Sequence, residues 1–147
     1  MNNNENDTGR ILGIDPGEKR IGLALSDPLG ITAQGLSTLT IKDRTEAVER
    51  IAGIIRDKKV NLVVMGFPLN MDGSAGLQAE RARKMGTEIE EKSGIPVVYR
   101  DERLTSLQAE KVLLKADLSR GKRKSKIDLL AAQLILQSYL NQPEEEK

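Results

Sequence analysis

The run Arg10-Ile11-Leu12-Gly13-Ile14-Asp15-Pro16-Gly17, continued by Arg20-Ile21-Gly22-Leu23-Ala24-Leu25-Ser26-Asp27, decides the reading of this chain. Two apolar runs of strand length flank a Pro-Gly turn, which predicts strands over 10–15 and 21–27. Proline has no backbone N–H to donate and glycine accepts tight turns, so the chain must bend directly after Asp15. That carboxylate is left at the mouth of a strand.

Outward from this pair, residues 34–41 alternate around Leu36 and Leu39 and read as a third strand. Asp43 is placed to cap a helix that runs to about Lys58, with Glu46 three residues on and Ala47, Ile51, Ile54 and Ile55 as its apolar stripe. Asn61 to Phe67 is a continuous apolar run, the pattern of a buried parallel strand. Pro68 to Gly76 reads as a loop with Ser74 as helix cap, and the helix that follows runs to about Lys92, stopped by Gly94 and Pro96. Residues 96–102 are expected to form another buried strand, and Thr105 or Ser106 to about Ala116 a helix. The last helix, Ile127 to about Leu140, is apolar nearly all round and should be mostly buried.

This order of elements predicts an α/β fold, a mixed central sheet of about five strands with helices on both faces and right-handed connections between its parallel strands. Sites in such sheets lie beyond the carboxyl ends of strands, where Asp15 and Glu102 both fall. A single domain is expected over 10–141, between a polar, flexible tail at 1–9 and an acidic tail at 142–147.

Composition removes several chemistries. The 147 residues include no His and no Cys, which excludes zinc sites of the usual kind, thiol nucleophiles and histidine general bases. Phe67, Tyr99 and Tyr139 are the only aromatics, so a stacking platform for single-stranded bases is nearly absent. No apolar stretch is long enough to span a membrane, and the Asn-rich start is unlike a secretory signal. Without cysteine, the expected location is the cytoplasm. Net charge is +1, so local charge matters more than the total. Between Arg120 and Lys126, five of seven residues are basic: Arg120, Lys122, Arg123, Lys124 and Lys126. Such a loop is either simply solvated or attracts phosphate.

Asp15 and Glu102 at strand mouths, with Asp128 at the opening of the last helix, are the donors that a hard divalent cation takes for phosphate chemistry. Each also has a structural reading. Asp15 could form the turn, Glu102 could be a solvated charge, and Asp128 could complete a capping box with Ser125 as the cap. Asn70, Gly73 and Ser74 precede a helix whose free N–H groups could receive a phosphate, or they are a plain connection. Arg20 and Arg103 could each contact phosphate or form a surface ion pair.

Four segments together resemble the YqgF family, also called RuvX, on a ribonuclease H-like fold. They are Gly13-Ile14-Asp15-Pro16-Gly17 with Arg20-Ile21-Gly22, Gly66-Phe67-Pro68-Leu69-Asn70-Met71-Asp72-Gly73-Ser74, Asp101-Glu102-Arg103-Leu104-Thr105-Ser106, and Asp128-Leu129-Leu130-Ala131-Ala132. The resemblance covers nearly everything from Arg10 to Leu140. It implies a nuclease of 16S rRNA precursor maturation whose acidic site is Asp15, Glu102 and Asp128. A site of that kind would hold Mg²⁺ or Mn²⁺. Arg20, Arg103, Lys122, Arg123, Lys124 and Lys126 are then the expected nucleic-acid contacts, with Asn70, Gly73 and Ser74 as a phosphate loop. The partner would be precursor 16S rRNA or, on an older assignment of the family, branched DNA at a four-way junction, bound by a monomer or a homodimer with no membrane involved. Two other classes share parts of the pattern. A non-catalytic RNA- or ribosome-binding factor would use the same basic segment, and an actin-like phosphotransferase has the same Asp-x-Gly turn but needs a second lobe.

Overall fold

The Pro16-Gly17 bend folds β2 (Arg20–Ser26) back antiparallel onto β1 (Arg10–Asp15), with Asp15 opposite Gly22. The computed structural model describes residues 9–70, 72–102 and 124–147, with backbone only at 124 and 125. β3 (Ala33–Thr40) continues the meander on the far side of β2. Helix α1 (Arg44–Asp57) then carries the chain over the sheet to β4 (Val60–Phe67), which pairs parallel with β1. A parallel pair needs such a crossover. Helix α2 (Leu77–Ser93) makes a second crossover to β5 (Val97–Asp101), also parallel, giving the sheet order β3-β2-β1-β4-β5. The last helix is α3 (Lys124–Leu140).

Strand side chains alternate between faces, and the two faces differ in kind. Leu12, Ile14, Ile21, Leu23, Val63 and Met65 fill one face and pack against Ala47, Val48, Ile51 and Ile55 of α1 and Ala79, Ala82, Met85 and Ile89 of α2. The other face is small: Gly13, Ala24, Gly35 and Val64 lie beneath α3. A Cβ on Gly13 would come 2.6 Å from Leu136 Cβ, and one on Gly35 would come 2.7 Å from Leu129 Cγ. The helix therefore rests almost on strand backbone. Its glutamines are used too. Gln137 accepts from Ala33 N at 2.9 Å and donates to Ile31 O at 3.0 Å, and Gln133 donates to Ala33 O at 3.1 Å. This stitching to β3 is why α3 needs no broad polar face.

Several expectations are revised. α3 begins by Lys124, not Ile127, so Ser125 is helical and cannot be the cap, and Lys124 and Lys126 belong to a helix rather than a loop. Apolar periodicity starts at Ile127, but Lys and Ser carry a helical turn without it. Helix α2 starts after Gly76 with no side-chain cap, not at Ser74. β5 is a half-buried edge strand, not a buried one, because it pairs only with β4 among the described residues. The acidic C-terminus contains a 3₁₀ turn, Glu144–Glu146, with Lys147 Nζ 5.5 Å above the Tyr139 ring. The helix expected between 105 and 116 lies outside the described residues, as do residues 1–8 of the expected N-terminal tail.

Gly13→Ala should lower unfolding free energy by about 1–3 kcal/mol, because the new methyl meets a helix that cannot retreat. Gly53→Ala, inside α1, would meet only the flexible Arg56 guanidinium at 3.6 Å. It should raise stability by roughly 0.5–1 kcal/mol. Urea denaturation of the two variants beside the parent checks both signs.

A candidate active site at the carboxyl edge of the sheet

Gly13 faces α3, so alternation turns Asp15, two residues on, to the same face. Glycine lies on either side of it. Gly22 is its partner on β2, and the Ile14–Met65 register brings Gly66 of β4 level with it on the other side. Both glycine spaces are filled by acids from elsewhere. A Cβ on Gly22 would collide with the Asp128 carbonyl and lie 3.3 Å from Asp128 Cβ. A Cβ on Gly66 would lie 2.9 Å from Glu102 Oε2 and 2.7 Å from Ile135 Cδ1. Asp15, Glu102 and Asp128 are thus gathered at one edge, on one face, although they come from two strand ends far apart in sequence and from a helix.

Burial sets the electrostatics. Asp15 is 7% exposed and Glu102 only 2%. Carboxylates withdrawn from water at close quarters need cations or donors to remain charged. Asp128 has one: Arg20 Nε donates to its Oδ2 at 2.6 Å, the short distance of a charge-assisted bond. Of the two readings open for Arg20, contact with phosphate or an ion pair, the structure has the ion pair, and its partner is a site acid. Among the described residues no three acidic side chains stand close enough together to hold one ion. The donor chemistry suits a hard divalent cation, all oxygen and all carboxylate, but the closed three-acid cage expected from sequence is not formed in this arrangement.

The other candidates are dispersed. Asn70, Gly73 and Ser74 do meet in one turn, but its donors point inward. Ser74 N–H and Oγ–H both reach Asp72 Oδ1, at 2.9 and 2.6 Å, and Asn70 Nδ2 donates to Ser74 Oγ at 3.0 Å. A charged acceptor two residues away wins Ser74 from the helix end. Lys126 is exposed on the first turns of α3, two residues from Asp128. Arg103, Lys122 and Arg123 lie outside the described residues, and of Lys124 only the backbone is described.

The strand glycines hold a signal of their own. A glycine inside a strand weakens it unless something must come close, and Gly22 and Gly66 carried that signal. A cavity of about 380 Å³ also lies behind the Gly17–Lys19 turn, bordered by Arg44 and Arg81. There Glu18 receives Gln78 Nε2 at 2.7 Å and Arg81 Nη1 at 3.3 Å, which ties the turn after Asp15 to α2.

A mixed sheet in this order, with helices on both faces and acids at its carboxyl edge, is the α/β fold of the ribonuclease H class. Residues 9–142 match the family model described as RuvX, Holliday junction resolvase, and the chain belongs to that family. A Streptococcus uberis protein provisionally named pre-16S rRNA nuclease is 49% identical over 135 residues, 90% of this chain and 97% of its own length. One of the same name from Pelotomaculum thermopropionicum is 51% identical over 133 residues, 90% of this chain and 86% of its own. In fold, the chain is similar to Thermus thermophilus RuvC solved with a Holliday junction substrate, with a TM-score of 0.56 at 14% identity, over 86% of this chain and 91% of that one. No described helix is long and apolar enough to cross a membrane.

Gly22→Ala should displace Asp128 and break its bond to Arg20, at a loss of about 1–3 kcal/mol. Thermal melting of Gly22→Ala and of Asp128→Asn separates the causes. If the ion pair is the main casualty, the double variant should melt no lower than Gly22→Ala alone.

Proposed function

We propose that the protein is a metal-dependent nuclease that hydrolyses phosphodiester bonds of RNA in the maturation of the 16S rRNA precursor. Asp15, Glu102 and Asp128 are its catalytic acids and the ligands of Mg²⁺ or Mn²⁺. The observation that carries this reading is the pair of glycine spaces flanking Asp15, one taken by the Asp128 backbone and Cβ and the other by the Glu102 carboxylate, which brings acidic residues from two further segments to the edge where Asp15 stands. Membership of the RuvX family supports a nuclease acting on nucleic acid, and the names of relatives near half identity favour RNA over the junction DNA that the family description names. When bound at such a site, divalent ions activate the attacking water and stabilise the leaving oxygen.

The chain's own residues have narrower tasks. With no histidine in the chain, the carboxylates of this edge are the groups best suited to receive a proton leaving water near neutral pH. Asp15 is held rigidly by a strand with neighbours on both sides, which suits a central ligand. Glu102 follows the edge strand β5, and Asp128 comes from the helix above. Arg103, Lys122, Arg123, Lys124 and Lys126 would contact the phosphate backbone, which gives affinity and register without reading bases, and Arg20 would join them only if it left Asp128. Asn70, Gly73 and Ser74 would do so only if Asp72 gave up its donors.

Asp15→Asn and Glu102→Gln should each reduce cleavage of a precursor 16S rRNA end by at least about 100-fold while keeping a cooperative melt. Excess chelator should abolish wild-type cleavage, and Mg²⁺ or Mn²⁺ should restore it. A four-way DNA junction run in parallel tests the resolvase alternative, which gains if the junction alone is cut. Cleavage-dead acid variants that still support rRNA maturation in cells would favour a non-catalytic RNA-binding factor.

Changing Lys122, Arg123 and Lys124 together to Ala should weaken RNA binding. It should also flatten the salt dependence by roughly 0.7 per lost phosphate contact on a single strand. The rate at saturating RNA should hold. An unaltered slope in a filter-binding titration means that the segment is only solvated.

A further inference from the structure

Asp128 and Arg20 are fixed to different degrees. The backbone carbonyl of Asp128 packs directly over Gly22, where the helix meets the sheet. Arg20 begins β2 two residues before Gly22 and rises on the same face, at the edge, with its side chain 31% exposed against 16% for Asp128. The carboxylate is the anchored partner and the guanidinium the movable one. Arg20 Nε sits 2.6 Å from Oδ2, in the position a cation serving that carboxylate would take.

We propose that Arg20 is a built-in counter-ion of the acidic site. It neutralises Asp128 when no metal is bound and competes with the divalent ion for that carboxylate, so that filling the site is an exchange of one cation for another. The inference rests on Asp128 being a metal ligand, as argued above, and adds what sets the ion concentration at which the site fills. Arginine suits the task, since it is always charged, is more weakly hydrated than lysine, and is held here by one directed bond that can be released. Removing the competitor should leave Asp128 partly buried without its cation, at a cost to the metal-free fold that bound metal relieves.

The test is calorimetric titration of the full chain with Mn²⁺, beside melting temperatures with and without the ion, for the wild type, Arg20→Met, Arg20→Gln and Asp15→Asn. Both Arg20 variants should bind Mn²⁺ about ten-fold tighter, the scale of one charge-assisted hydrogen bond that no longer has to be broken. Both should melt lower than wild type without metal and gain more from Mn²⁺. Two Arg20 variants guard against a packing effect of either replacement. Equal or weaker Mn²⁺ binding in both overturns the inference and makes Arg20 a brace that presents Asp128 to the ion. If Asp15→Asn binds Mn²⁺ as the wild type does, or no protein binds it, the assignment of the acids as ligands fails first, and this inference with it.

Discussion

The close contact between α3 and the glycines of the sheet face beneath it governs the rest of this structure. Gly13 and Gly35 bring Leu136 and Leu129 down to the strand backbone, and Gly22 and Gly66 do the same for Asp128 and for Glu102 with Ile135. A helix at that distance acts as a rigid lid with no slack for repacking. Its height above the sheet determines where Asp128 stands, and Asp128 lies over Gly22, the strand partner of Asp15. Core packing and site geometry are therefore one problem on this face. On the opposite face, α1 and α2 pack through ordinary aliphatic side chains and leave the acids alone.

Concentrating carboxylates at a nearly dry edge has an electrostatic cost that the fold must offset. Part of the compensation comes from Arg20, brought beside Asp128 by the first residue of β2. The turn between β1 and β2 is braced independently, by Glu18 receiving Gln78 and Arg81 from α2. One side of Asp15 is thus tied to α3 and the turn just beyond it to α2, so elements on both faces of the sheet hold the edge in place.

Much of this was legible from local pattern. β1, β2 and β4 are built on apolar runs, Asp43 does cap α1 by accepting from Thr45 N, and Gly94 does end α2 in the left-handed conformation at φ 75°. Asp15 and Glu102 fell at strand mouths for the same reason. Failures came where a distant or competing partner decides. The Arg20–Asp128 bond joins residues 108 apart in sequence, and nothing near either names the other. Ser74 looked like a cap until Asp72 was seen to take its donors. β5 looked buried because Val97 and Val98 are apolar, yet position at a sheet edge is a property of topology, not of composition. The start of α3 was missed because a polar first turn carries no hydrophobic signal.

The unlike faces of the sheet also give the protein an uneven capacity to change. Behind the sheet, where side chain meets side chain between the strands and α1 or α2, a larger residue can be traded against a smaller neighbour with volume conserved. In front, at Gly13, Gly22, Gly35 and Gly66, there is no neighbour to trade with, since the smallest residue already occupies the contact. Heritable variation and laboratory stabilisation alike have room to work through the rear layer, while the front layer admits change only by moving a whole helix and a site acid with it.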